Sequence, residues 1–240
     1  VKSVSHLNLV SVSSGKDSTA TLLLALKQFP DTTTSVFADT GNEDQAVYEY
    51  LGYLEKTLGI KIHHLKQDFT DWWWRRRDYV RDKWPDKGVP DGVVRRVLAF
   101  YEQGPTGNPY LDLCIIKGRF PSRLAQFCTQ YLKTQPLTEY ALGLGSLVGC
   151  DVWSWQGVRR DESARRANAE GFEDMGLGLY AFRPIAGWTA QQVVDFVRSC
   201  GLKLNPLYAQ GMDRVGCMPC INASKAEIAE IARRFPAHIE

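Results

Sequence analysis

Short apolar runs and helix-forming stretches alternate regularly over the first third of the chain. Leu7, Leu9, Val10 and Val12 lie in a run with β-branched character bounded by a Ser/Gly cluster, which predicts a buried strand over 7–12. Residues 18–29 hold Leu22, Leu23, Leu24, Ala25 and Leu26 and stop at Pro30, the pattern of a helix. A second strand follows over 34–38, then Asp39-Thr40-Gly41. A second helix over 43–58 is closed by Gly59, and a third strand covers 60–65. Strand–helix–strand–helix–strand with short joins requires parallel pairing and right-handed crossovers. The expected fold is therefore α/β: a doubly wound, mainly parallel sheet flanked by helices, with ligands beyond the carboxyl ends of its strands.

The alternation breaks between 66 and 109, which hold Trp72-Trp73-Trp74-Arg75-Arg76-Arg77, Pro85, Pro90 and Gly104-Pro105-Thr106-Gly107. This stretch is expected to be a helical insertion over the active face of a single domain spanning 1–240. Three consecutive tryptophans cannot share one helical face, so at least one is expected to be exposed or at an interface. The run could stack on bases and pair phosphates, pack on the sheet, or form a patch for a partner protein. Beyond it, helices are predicted over 120–132 and 161–169, and a strand over 152–156. A further helix over 189–199 has Thr189 as its cap, Gln192 at the capping-box position and Gly201 at its end. Residues 200–240 form a C-terminal segment carrying Cys217-Met218-Pro219-Cys220, with a last helix from about Ser224. No internal repeat is visible.

With 44% hydrophobic and 23% charged residues among 240, disordered, collagen-like and low-complexity classes are excluded. A formal net charge of +2 neither demands nor forbids a nucleic-acid partner. No stretch approaches the ~20 apolar residues of a membrane span, and residues 1–9 lack a signal-peptide pattern, so no membrane association and a cytoplasmic location are expected. The first residue is not Met, which suggests a trimmed start. Six cysteines in such a setting read as metal or catalytic ligands before disulfides. Cys150 and Cys200, in apolar surroundings, read as small core residues. His63 and His64 read as a solvated strand end, and no residue stands out as a general base.

Ser13-Ser14-Gly15-Lys16-Asp17-Ser18 falls between the first strand and the first helix. A turn rich in Gly and Ser lets backbone N–H groups converge on an anion, and the helix N-terminus adds partial positive charge. Lys16 adds a full charge, and the hydroxyls of Ser13, Ser14 and Ser18 can donate to phosphate oxygens. The spacing is not that of a Walker loop. Strand–Ser-Ser-Gly-Lys-Asp-Ser–helix resembles the Ser-Gly-Gly-Lys-Asp-Ser loop of the PP-loop ATP pyrophosphatase superfamily, with Ser14 where Gly is usual. Asp39-Thr40-Gly41-Asn42-Glu43 and Gly157-Val158-Arg159-Arg160-Asp161-Glu162-Ser163-Ala164-Arg165-Arg166 resemble segments of its phosphoadenylylsulfate (PAPS) reductase branch. So do Trp188, Asn205-Pro206-Leu207-Tyr208 and Gly216 to Cys220, in the same order.

The resemblance implies an adenine nucleotide alpha hydrolase-like fold, with ATP and Mg²⁺ held by Ser13, Ser14, Gly15, Lys16, Asp17, Ser18, Asp39, Gly41 and Gly157. Lys16, Asp17, Arg159 and Arg160 would act on the phosphates. Cys217 and Cys220 alone are compatible with zinc, a redox dithiol or half of an iron–sulfur site. The segment 128–137 is similar to the Cys-Cys-x-x-Arg-Lys-x-x-Pro-Leu segment of iron–sulfur sulfonucleotide reductases, with Thr129 replacing the second Cys. This implies a [4Fe–4S] cluster on Cys128, Cys217 and Cys220, with Cys114 as candidate fourth ligand; zinc is the fallback. An open fourth iron, as in some tRNA thiolases, is the other arrangement.

Such reductases carry a nucleophilic Cys in a C-terminal tail, and no Cys follows Cys220 here. Either that tail lies outside this sequence or the chemistry is different. The retained Lys16 and Asp17 favour ATP. The expected activity is cleavage of ATP to AMP and pyrophosphate, adenylating an acceptor for sulfur transfer, as in DNA phosphorothioation or tRNA thiolation. Nucleic acid (DNA or tRNA) as acceptor and a cysteine desulfurase or other sulfur donor are the implied partners. A PAPS/APS-type reductase and a non-catalytic iron–sulfur module that binds nucleotide or nucleic acid are the alternatives.

Overall fold

The computed structural model describes residues 6–236. Six strands form one sheet: β1 (His6–Ser11), β2 (Thr33–Asp39), β3 (Ile62–Lys66), β4 (Asp151–Trp155), β5 (Phe172–Gly176) and β6 (Leu179–Phe182), in the order β3-β2-β1-β4-β6-β5. All neighbours are parallel except β5, which runs antiparallel to β6 at the edge. Because β2 lies on one side of β1 and β4 on the other, successive connections diverge beyond the carboxyl end of β1 and leave a crevice there.

The first half follows the predicted pattern closely. α1 (Lys16–Gln28) ends ahead of Pro30, and α2 (Gln45–Leu58) ends at Gly59 in the left-handed region, φ +66°. The main core gathers Val10, Val12, Leu22, Leu51, Leu54 and Trp155 between the sheet and α1, α2 and α8 (Ala190–Ser199). Asn8 is buried in the sheet; its side chain donates to Thr32 Oγ1 and accepts from Trp155 Nε1 at 2.7 Å, so no polar group is stranded there.

Residues 66–109 are largely helical: α3 (Thr70–Lys83) and α4 (Asp91–Tyr101), followed by α5 (Pro109–Lys117). They build a second core around Trp73, Leu113 and Leu132. Trp73 is fully buried, and its indole N–H donates to Tyr101 O at 2.9 Å. Trp72 and Trp74 are half-buried, under Lys117 and Arg77 respectively. No member of the run is fully exposed, because cation stems cover the ring faces that helical geometry turns away from the core.

Three expectations are corrected. Residues 120–126 are not helical: a tight turn around Arg123 and Leu124 closes with two Ser122–Ala125 backbone bonds, and helix begins only at α6 (Phe127–Thr129). It continues through a π-turn (Gln130–Thr134) into α7 (Gln135–Val148). Pro136 reads as a helix breaker in sequence, but the wider π-turn ahead of it relieves the clash between its ring and the preceding carbonyls. The stretch 161–169 forms two 3₁₀ turns, Arg160–Glu162 and Ala164–Arg166, separated by an extended Ser163. Cys200 is exposed as the C-cap of α8, where the helix gives way to the turn at Gly201. The Thr189–Gln192 capping box forms as expected. Among the described residues no helix is long and apolar enough to cross a membrane.

Candidate functional site

The loop between β1 and α1 is held from three directions. Ser14, at φ +61° and with no exposed surface, accepts from Asn205 Nδ2 at 3.4 Å. Asn205 caps α9 (Pro206–Ala209), so the Asn-Pro-Leu-Tyr segment docks onto the turn. The Ser13 N–H donates to Ser18 Oγ at 3.0 Å, and that hydroxyl donates to Gly15 O. The Lys16 N–H donates to Tyr208 Oη at 3.0 Å, and Lys16 Nζ lies 5.1 Å from the centre of the same ring.

β4 brings the second wall. Gly157 follows it, and a Cβ there would stand 2.8 Å from the backbone of Asp17 and Ser18, so only glycine permits this approach. Two residues on, Arg159, 5% exposed, donates from Nε to Asp17 Oδ1 at 2.5 Å and pairs also with Asp161. Burial opposes the Arg159 charge, but Asp17 and Asp161 outweigh it and hold its pKa above the usual guanidinium value. Lys16 Nζ is 3.9 Å from Asp17 Oδ2. Lys16, Asp17 and Arg159 thus form one charged chain along the loop.

Above this chain opens a cavity of about 710 Å³, within the range of small-molecule sites. Its floor is Ser13, Gly15, Lys16, Asp17, Ser18, Gly157 and Arg159; Leu137, Ala141 and Leu179 give an apolar side; Arg166, Arg214 and Lys133 add cations at its margins. Arg166 pairs with Glu162, and Arg214 lies 3.8 Å from the same carboxylate.

Four of the sequence-predicted nucleotide and phosphate residues stay out of the cavity: Ser14 is fully buried against Asn205 and offers it no hydroxyl, and Asp39, Gly41 and Arg160 stand elsewhere. Asp39 Oδ1 accepts from Gly41 N at 3.0 Å and Tyr48 Oη at 2.8 Å, and Gly41, at φ +73°, packs on Asn108 and Pro109. They build the turn that docks α5 and do not line the cavity. Arg160 points away from it, donating to Ala169 O at 2.9 Å.

Lys133 also reaches the thiols. Cys217 Sγ lies 3.3 Å from Glu43 Oε1 and 3.5 Å from Thr40 Oγ1, fixed by a bridge between residues 43 and 217 and by Met218 N–H donating to Asn42 O. Cys114 and Cys128 are in electrostatic reach of one another, as are Cys128 and Cys220. The Tyr110 hydroxyl faces Cys114, Cys128 and Cys217. Burial pushes the Cys114 thiol up to about 11 and also raises Cys128 and Cys217. Lys133, on the π-turn, touches Cys217 and faces Cys220; burial disfavours its charge, yet Cys217 and Glu43 raise its pKa. Among the described residues no three Cys, His, Asp or Glu side chains stand close enough to grip a single metal ion.

Lys133, Tyr208, Tyr110 and Glu43 escaped the sequence reading as functional residues. Lys133 had a signal, since it stands five residues after Cys128; the position of Tyr208 after Asn-Pro-Leu had no evident chemistry.

Residues 8–89 and 113–223 match the phosphoadenosine phosphosulfate reductase domain family, and the chain belongs to that family. The interval between the two matched stretches, 90–112, covers α4, the loop after it and the first turn of α5. The chain is 45% identical over 246 residues to an uncharacterised 37.8 kDa protein of Escherichia phage 186, covering 98% of this chain and 73% of that protein. It is 26% identical over 233 residues to an uncharacterised protein of Methanocaldococcus jannaschii, covering 95% of this chain but spanning 39% of that protein. To the adenosine 5'-phosphosulfate reductase of Mycolicibacterium smegmatis it is 35% identical over 94 residues, 39% of this chain and 37% of that enzyme. The crystal structure of PAPS reductase from Candida auris, a phosphate complex, superposes with a TM-score of 0.53 at 14% identity, covering 88% of this chain and 80% of that one, a likeness of fold. A nucleotide-binding α/β fold of the PP-loop, PAPS reductase-like kind is thereby established.

Proposed function

We propose that the cavity binds ATP and that the enzyme cleaves it to AMP and pyrophosphate, adenylating an acceptor oxygen for sulfur transfer. The observation that carries this reading is Lys133, which lines the phosphate-loop cavity and at the same time touches Cys217. A nucleotide site and a sulfur site that share one residue suit a reaction that activates with one and delivers sulfur at the other.

The triphosphate lies along Lys16 and the start of α1, where the helix terminus and the ammonium both favour negative charge. Asp17 is committed to Arg159 and holds it against the loop. Mg²⁺ would share the phosphate oxygens. The acceptor oxygen attacks the α-phosphorus, its O–P bond forms as the bond to pyrophosphate breaks, and Lys16 balances the charge that develops. A sulfur nucleophile then displaces AMP from the adenylated acceptor.

The resemblance of segment 128–137 to iron–sulfur sulfonucleotide reductases favours a [4Fe–4S] cluster on the four thiols, with zinc as the fallback. Among the described residues no three of these side chains converge on one point; what supports a shared centre is that Cys114 and Cys128, and Cys128 and Cys220, lie in electrostatic reach of one another. Cys114, Cys128, Cys217 and Cys220 would hold the cluster, which would supply electron-transfer or sulfur-handling chemistry. Tyr110 and Lys133 would offer a hydroxyl and a positive charge to its sulfurs. Nucleic acid as acceptor and a cysteine desulfurase as sulfur source belong to this reading as proposals.

The test is incubation with ATP, Mg²⁺ and candidate acceptors, measuring AMP and pyrophosphate. Lys16→Ala is expected to lower turnover at least ~100-fold, the scale of losing a charged transition-state contact. Turnover that survives this change rules out the loop assignment. A second reading, sulfonucleotide reduction, is favoured by the similarity to adenosine 5'-phosphosulfate reductases and predicts sulfite from APS or PAPS with a thiol reductant. Tight nucleotide binding with neither product would mark a non-catalytic module.

A further inference from the structure

The hydroxyl of Tyr208 has one oxygen that accepts and one proton that donates. The oxygen takes the Lys16 N–H at 3.0 Å. Among the described residues the proton has no acceptor within the fold, although the side chain lines the cavity. The ring is held by both ends of its segment: Asn205 anchors α9 to Ser14 Oγ and Ala46 O, and Lys16 Nζ sits over the ring face.

The loop is thus unusual in its donors. Two of the backbone N–H groups that would converge on an anion, those of Ser13 and Lys16, are already taken by Ser18 Oγ and Tyr208 Oη. A phosphate entering above Lys16 meets the phenol in place of the Lys16 amide.

We propose that Tyr208 is a binding residue of the nucleotide site, its hydroxyl donating its proton to a phosphate oxygen and so relaying the Lys16 amide into the cavity. Burial raises the phenol to about 12, so it keeps the proton it must donate throughout the neutral range. The cation–π contact with Lys16 sets ammonium and hydroxyl side by side, two donors for one phosphate group. This assignment rests on the reading that the cavity holds a phosphorylated nucleotide.

The experiment is isothermal titration of the chain with ATP and with inorganic pyrophosphate, for wild type and Tyr208→Phe. The Phe variant keeps the ring under Lys16 and removes only the hydroxyl. Affinity for both ligands is expected to fall ~10-fold, the lower range for a hydrogen bond to a charged group, with the ligand-free melting temperature little changed. Equal or tighter pyrophosphate binding by Tyr208→Phe would show that the freed Lys16 amide is the true ligand, and overturns the assignment while leaving the nucleotide reading in place. A wild type that binds neither ATP nor pyrophosphate overturns both. Protein labelled with 3-fluorotyrosine gives a measurement that needs no substitution, because its more acidic phenol is a stronger donor. It should bind pyrophosphate more tightly than unlabelled protein, and unchanged or weaker binding overturns the donor role.

Discussion

A side chain at 157 has nowhere to go. The atoms that would meet it belong to the backbone of Asp17 and Ser18, which cannot rotate aside, so Gly157→Ala must move the start of α1. The expected cost is ~1–3 kcal/mol in stability, by analogy with overpacked cores, together with a clear loss of ATP affinity measured by titration. Retained affinity in the Ala variant would mean that the loop is not the phosphate site. Tyr50 offers a pH-dependent test of the same scale. It is buried, donates to Lys203 O at 2.8 Å, and burial raises its phenol from 10.0 to about 12. The unfolded chain therefore ionises this residue first, so the contribution is intact below pH 10 and is lost as pH rises towards 12. Urea titrations at pH 9 and 11.5 should show a smaller alkaline loss in Tyr50→Phe than in wild type.

Among the elements, α3 shows how a misleading sequence signature is resolved by packing. Trp72-Trp73-Trp74 looked like a surface for bases or a partner. In the fold the middle ring is the centre of a second core and the outer two are covered by cations. Trp73→Ala removes a fully buried ring and one of the two hydrogen bonds to the Tyr101 carbonyl, which keeps that of the Gly104 N–H, with an expected loss of ~3–5 kcal/mol by denaturant unfolding. A loss below about 1 kcal/mol would mean that this helical layer is not a cooperative part of the domain. The elements read correctly, β1 to β3 with α1 and α2, are those whose period and punctuation agree: Pro30 and Gly59 mark real ends. Of those missed, β6 is only four residues long, while β5 and α7 carry local signals that contradict their state. β5 is exposed throughout, and Pro136 masks the continuity of α6 into α7.

For the whole molecule, the two sites share Lys133, and their chemistry can be separated. Anaerobically prepared protein is expected to contain iron and acid-labile sulfide, with broad absorbance near ~400 nm. Cys217→Ser should remove this signal while leaving pyrophosphate binding measurable. One zinc and no iron by metal analysis would exclude the cluster reading.

The chain order of motifs determined more than their contacts did. Strand, Ser-Ser-Gly-Lys-Asp-Ser and helix, in that sequence, already placed an anion-binding turn at the carboxyl end of a parallel strand, because backbone geometry and the helix terminus are local properties. Sequence could not say that Arg159, not its neighbour Arg160, would reach Asp17, or that Asp39 and Gly41 would serve a turn against α5 and stay out of the cavity. Nor could it pair Tyr208 with the Lys16 amide, 192 positions away, or set Lys133 between the cavity and Cys217. Those relations depend on which strand lies beside which and on the direction each side chain takes from its element. They exist only once the sheet has brought distant segments together.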